Sequence, residues 1–85
     1  MIFNHKRSEL EIVFDILKEA GNASSKTQLQ YASRLSYHHF ESYFSYLLSN
    51  EFLVECNGSN LCRYQCSEKG ESVVRNLAAV FDAIV

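Results

Sequence analysis

The chain has no proline and only three glycines in 85 residues. Long extended linkers, glycine-rich phosphate loops and low-complexity tails are therefore missing. Three cysteines, Cys56, Cys62 and Cys66, make an odd count with no Cys-x-x-Cys pair. A small secreted domain normally carries an even disulfide framework, so a reducing interior is expected. No apolar run reaches the roughly 18 residues of a membrane-spanning helix. None opens the chain, where Asn4, His5, Lys6 and Arg7 come almost at once, so no signal peptide is expected. The net charge of −2 leaves no broad cationic coat. No internal repeat is visible.

What is present is 9.8 kDa of chain, 47% hydrophobic and 21% charged. That balance belongs to a globular protein and not to a disordered one. A domain of this size buries roughly 60–65% of its unfolded surface. One core fits, and a deep catalytic cleft does not. No cysteine or serine has a histidine and an acid at a motif spacing, so neither catalysis nor a cofactor is expected.

Periodicity divides the chain. Residues 8–20 predict a helix, with Ile12, Val13, Ile16, Leu17 and Ala20 on one stripe. Ser8 and Glu11 have capping-box spacing, Asn4 is a second possible cap, and Gly21 is a natural stop. Ser24 or Ser25 can cap a short second helix from Lys26 to about Ser33, with Leu29 and Ala32 inward. Ser36 is the next cap, followed by a third helix with Phe40, Tyr43, Phe44, Leu47 and Leu48 on one face. The connection at residues 33–35 is so short that the two helices must turn sharply, as in a helix-turn-helix. Residues 52–66 change to a strand period around Asn57, Gly58, Ser59 and Asn60, which is a hairpin signal. Ser67 caps a last helix, whose start Gly70 weakens. Three helices, a hairpin and a helix make the winged-helix arrangement, mainly α with a small β-hairpin. The expected layout is a single domain over 1–85: helix-turn-helix at about 25–50, wing at about 52–66, and a C-terminal dimerisation helix at about 67–85. Leu17, Phe44, Leu47, Leu53 and Leu77 should be buried together.

Several segments carry a family likeness. These are the opening 6–17, Ser36-Tyr37 followed by Phe40, Tyr43, Leu47 and Leu48, the run 50–53, and Tyr64-Gln65-Cys66-Ser67-Glu68-Lys69-Gly70. Across nearly its whole length the chain resembles a family of small archaeal winged-helix proteins that bind DNA and are thought to regulate transcription. The resemblance implies a DNA-reading third helix, a wing, and dimers that in some members pair through the last helix. It also implies a cytoplasmic, nucleoid-associated protein. Two departures stand out. Glu51 occupies a common glycine position, so Asn50 is expected to supply the left-handed turn. The third helix carries no lysine or arginine; its outward positions include His38, His39, Glu41 and Ser42.

Charge placement says more than net charge. No acid lies between Glu19 and Glu41, a window that holds Lys26, Thr27, Arg34, Ser36, Tyr37, His38 and His39. Hydroxyls and helix N-termini there can bind phosphate oxygens. The expected DNA contacts are Tyr37, His38, Glu41 and Ser42 near the bases, with Lys26, Thr27, Arg34, Ser36 and the wing's Arg63 along the backbone. The adjacent pair His38 and His39 points about 100° apart on a helix, which does not suit one metal, and none is expected. Cys66 reads as a buried small hydrophobe, while Cys62 and Cys56 flank the wing turn. On the last helix, Val73, Leu77, Val80 and Ile84 form one seam, and Val74, Ala78, Phe81 and Val85 a second beside it. Two seams are wider than one small core needs, so Val74, Leu77, Val80, Phe81, Ile84 and Val85 are the expected homodimer contacts. The reading is a dimeric winged-helix protein on double-stranded DNA, a transcriptional regulator or a chromatin-associated protein. The rival is a winged helix that binds proteins and no longer binds DNA.

Overall fold

The structure is a computed structural model that describes residues 8–58 and 61–84. Helix α1 (Glu9–Glu19) is followed by a 3-10 turn (Ala20–Asn22), α2 (Lys26–Ser33) and α3 (Tyr37–Ser49). Strands β1 (Leu53–Gly58) and β2 (Leu61–Cys66) form the wing, and α4 (Glu68–Ile84) ends the fold. The expected winged-helix order is present. Asn4 and Val85 lie outside the described residues.

Local chemistry sets most of these boundaries. The Ser8 hydroxyl accepts the Glu11 N–H at 3.2 Å, and the Glu11 carboxylate accepts the Ser8 N–H at 3.0 Å. Ser25 and Gln28 repeat that reciprocal box at the start of α2. Ser24, the alternative cap, does something else. It is buried and pairs with Tyr64 in both directions, N–H to O at 3.0 Å and O to H–N at 2.8 Å. This one-residue bridge ties the helical part to β2. It carries no period, so no sequence pattern announces it.

The core joins α1 (Ile12, Ile16, Leu17), Ala20, Leu29 of α2, α3 (Phe40, Phe44, Leu47), Leu53 and Cys66. Cys66 is buried as expected, and burial pushes its thiol pKa up. Leu77 departs from expectation and is only half-buried. Helix α4 leans on the core with its first turns, through Val73 and Val74, and Leu77 already lies toward the outer half.

Among the described residues three take left-handed backbone, and none of the three is a glycine: Ala23 (φ 57°), Arg34 (φ 57°) and Glu51 (φ 63°). Two expectations change accordingly. Gly21 is not the left-handed stop of α1; the 3-10 turn carries the chain past it and Ala23 makes the reversal. Asn50 does not supply the turn into the wing, because its φ is −97° and Glu51 takes the positive φ. The Glu51 turn is held by Phe52 N–H to Leu47 O at 2.9 Å and by the Ser67 hydroxyl donating to Glu51 O at 2.6 Å.

Gly70 weakens the α4 start only on paper. Ser67 caps that start, its oxygen accepting the Gly70 N–H at 3.0 Å. A Cβ on Gly70 would lie 2.3 Å from Phe52 O and 2.7 Å from Cys66 Sγ. Glycine therefore lets α4 press against the wing's base. Gly70→Ala should destabilise the fold by about 2–3 kcal/mol, since a backbone carbonyl cannot swing aside. Thermal unfolding followed by circular dichroism checks this, and unchanged melting would mean that α4 can tilt off the hairpin freely.

Candidate nucleic-acid interface

The connection between α2 and α3 is held by backbone and one buried hydroxyl. Arg34 N–H donates to Gln30 O and Tyr31 O, both at 3.1 Å, with Arg34 left-handed. The buried Ser33 hydroxyl donates to Gln30 O at 2.6 Å and accepts the Leu35 N–H at 3.3 Å. These bonds offset the cost of a left-handed arginine, about 1–2 kcal/mol. The Arg34 side chain is left 71% exposed, its guanidinium 3.9 Å from Asp15, a distance at which an exposed pair holds little.

Helix α3 buries Phe40, Phe44 and Leu47 and turns the opposite arc outward. At 100° per residue, His38, Ser42, Ser45 and Ser49 fall within about 60° of one another at the centre of that arc. All four are exposed. The centre of the outward face is thus one imidazole and three hydroxyls. Tyr37 and Glu41 flank it toward α2, and His39 and Tyr46 on the other side. Ser36 begins the helix, but its hydroxyl lies 3.3 Å from His39 Nδ1 instead of capping. Ser42 also lines a groove of about 400 Å³ with Glu9, Leu10, Val13, Tyr43 and Tyr46. Ser45 and Ser49 were not among the expected contacts. Their spacing of 7 and 11 residues from His38 was the available signal.

Folding brings an acid onto the acid-free window. Glu41, at its far edge, comes back onto Lys26, near its start. The Lys26 ammonium lies 2.8 Å from Glu41 Oε2 and 3.1 Å from Oε1. It also lies 3.4 Å from the Tyr37 hydroxyl and 4.8 Å from the centre of the Phe44 ring. Hydrogen bonds from Lys26 and Tyr37 hold the Glu41 carboxyl below its ordinary pKa, and Glu41 raises that of Lys26. Thr27 stands exposed beside this cluster.

The wing's arginine is engaged as well. Arg63 donates from Nη1 to Ala23 O at 3.0 Å, fastening β2 to the turn before α2. Next to it, the Tyr64 ring meets Phe44 edge-on at 4.8 Å. A hydrogen bond with Cys62, then burial and the Cys62 and Glu55 charges, push the Tyr64 phenol up to about 12. The strands pair from Leu53↔Cys66 to Gly58↔Leu61, so Asn57 and Gly58 belong to the wing strand. The remaining expected turn residues, Ser59 and Asn60, lie outside the described residues. Cys62 is exposed and Cys56 half-buried.

Helix α4 separates the two expected seams. Phe81 meets Phe14 of α1 edge-on at 5.2 Å, and Val74 lines a hollow with Leu17. Val80 and Ile84 point away, 48% and 53% exposed. The only fully buried residue on this 17-residue helix is Gly70.

A helix-turn-helix with a hairpin wing defines the class, and comparison with known proteins agrees. Residues 6–84 match the winged helix-turn-helix family, and the chain belongs to it. The protein MJ0290 of Methanocaldococcus jannaschii is 36% identical over 80 residues, which cover 93% of this chain and 36% of that protein. The chain thus spans about a third of that relative's length. A second protein of the same archaeon, MJ0287, is 29% identical over 79 residues, covering 92% of this chain and 77% of its own. Among solved structures, Sso10a-2, a DNA-binding protein from Sulfolobus solfataricus, superposes with a TM-score of 0.78 at 22% identity. The match covers 91% of this chain and 81% of Sso10a-2, and it shows a shared fold.

The depressed Glu41 carboxyl links stability to pH. An ordinary glutamate titrates near 4.5, and Glu41 below it. Its contribution is fully present above the unfolded value and is lost as pH falls through the folded one. Glu41→Gln should therefore melt lower than the parent at neutral pH and lose less of its melting temperature between about pH 5 and pH 3. Parallel declines for the two chains would remove Glu41 from the acid transition.

Proposed function

We propose that the chain binds double-stranded DNA as a dimer, acting as a transcriptional regulator or a chromatin-associated protein. The outward arc of α3 carries this reading. It is a continuous polar stripe on the second helix of a helix-turn-helix, whose other face is spent in the core. A helix so placed enters the major groove, with Tyr37, His38, Ser42 and Ser45 nearest the base edges. Arg34, Ser36 and Thr27 then lie toward the phosphates, with Lys26, Glu41 and Arg63 at the border of the contact. That Sso10a-2 is a DNA-binding protein supports the same reading. The size of the domain supports a binding role over a catalytic one. Among the described residues no helix is long and apolar enough to cross a membrane. A DNA-binding role would place the protein in the cytoplasm, with the nucleoid.

One observation favours the second reading, a winged helix that binds proteins. Lys26 and Arg63 are both engaged within the chain. Among the described residues, that leaves Arg34 as the cation beside α3 to meet phosphates. The two readings separate in a salt series with random duplex DNA. DNA binding predicts measurable affinity at about 50 mM salt and a log–log slope equivalent to about two released counterions per protomer. Arg34→Glu should weaken all sequences alike, whereas His38→Ala should change the preference among them. A folded protein with no duplex affinity at that salt would belong to the second reading.

The dimer rests on α4. A 17-residue helix is about 26 Å long, and this one leaves Val80 and Ile84 in water. Two copies packed antiparallel would cover those side chains, with Leu77 beside them, each worth about 1.5–3 kcal/mol when fully buried. A second copy also supplies a second recognition helix. Because Phe81 packs on Phe14 within its own chain, Val80 and Ile84 are the better probes. Replacing both with glutamate should yield folded monomers, since two carboxylates will not be buried unpaired. Light scattering at tens of micromolar reads this, and a parent chain already monomeric there would end the dimer.

A further inference from the structure

Lys26 sits in the first turn of α2, the helix that crosses the sugar–phosphate backbone when a helix-turn-helix docks. It is thus a cation in a phosphate-facing position. Yet both oxygens of Glu41 hold its ammonium, at 2.8 and 3.1 Å, with the Tyr37 hydroxyl at 3.4 Å. The pair is also open to exchange. The two side chains are 34% and 36% exposed, so competing ions can reach the pair even though Glu41 Oε2 itself is covered. Duplex DNA brings one phosphate charge per roughly 1.7 Å of axis, a dense competing field. Glu41 lies on the flank of α3, between the buried face and the polar stripe, so its own charge also faces the DNA side.

We propose that Glu41 is an intramolecular competitor for DNA phosphate: by neutralising Lys26 it sets how tightly, and with what salt dependence, the duplex is held. The inference rests on the DNA-binding reading above. In the free protein the carboxylate occupies the place a phosphate oxygen would take. The chain keeps a recognition surface of hydroxyls and imidazoles with little long-range grip. Removing Glu41 converts Lys26 into a phosphate contact.

A double-mutant cycle tests this, using Glu41→Gln, Lys26→Met and the two together. Glutamine keeps the shape of Glu41, and methionine keeps an apolar stem over Phe44. Circular dichroism melts establish that all four chains are folded at the assay temperature. Affinity for one random duplex is then read from about 50 to 200 mM salt. Glu41→Gln should bind more tightly, with a slope steeper by about 0.9, the increment of one added phosphate contact. Across that fourfold range it should lose about threefold more affinity than the parent. Lys26→Met should leave the parent's slope unchanged, because Lys26 is already silent, and the double variant should return to it. A merely structural Glu41 would move melting temperatures and leave the slopes alike, which would overturn the proposal. So would a flatter slope from Lys26→Met alone, since Lys26 would then be reaching phosphate despite Glu41. If all four folded chains fail to bind duplex DNA, the DNA-binding reading falls and this inference with it. If they bind with equal slopes, only the competitor role falls.

Discussion

The Phe44 ring is the point on which the packing of α2, α3 and the wing depends. It is 4% exposed, and three elements meet on it. Phe40 stacks along it from the previous turn of α3, at 5.3 Å. Tyr64 of the wing meets it edge-on at 4.8 Å, and the Lys26 ammonium of α2 lies over it at 4.8 Å. An aromatic face is negative at its centre and positive at its edge, so it can take a cation and ring edges together. One side chain thereby fixes α2 and β2 against α3. The neighbouring bonds tighten the same junction: Arg63 to Ala23 O, and Ser24 to Tyr64. The wing therefore does not hang from its hairpin alone.

This arrangement explains how the cations are used. Lys26 and Arg63 lie where a nucleic-acid surface would want free charge, and both are consumed in joining elements. A chain of this size has one core and few ways to orient a two-stranded wing. Polar side chains that reach across element boundaries do that work. Lys69 follows the same pattern at the other end, donating to Asn50 O at 3.0 Å over the Phe52 ring at 4.7 Å.

How much of this could be read beforehand follows from the range of each interaction. The helices and their starts at Ser8 and Ser25 depend on neighbours three or four residues away, and pattern reveals them. So does the inward face of α3. The bridge at Ser24, the use of Glu51 in place of Asn50, and the close approach at Gly70 are set by chain segments far apart in sequence. A glycine in a first helical turn looks like a weakness until Phe52 O is seen against it. The Lys26–Glu41 contact was illegible for the same reason. Glu41 is 15 residues from Lys26 in the chain and in contact with it in space. Helical phase alone places His38 and Ser42 on the exposed side of α3, whereas whether a charge stays free depends on partners that phase does not show.

If the α3 stripe is the DNA interface, as proposed, its shortage of cations places a demand on assembly. Serine hydroxyls can bond to either base pair and to phosphate, but they do so singly, without the bidentate grip that arginine has on guanine. One protomer with such a face, and with Arg34 as its most exposed cation nearby, should hold DNA near the non-specific range, at a Kd of about 10⁻⁴–10⁻⁶ M. Joining two such faces rigidly makes the second contact intramolecular, and the gain can reach about 10²–10⁴ without any new side chain. The exposed Val80 and Ile84 on α4 are the apolar surface available for that joining. Under the proposed reading, the neutral stripe on α3 and the uncovered seam on α4 are complementary: the weaker the single helix, the more the function depends on the pair.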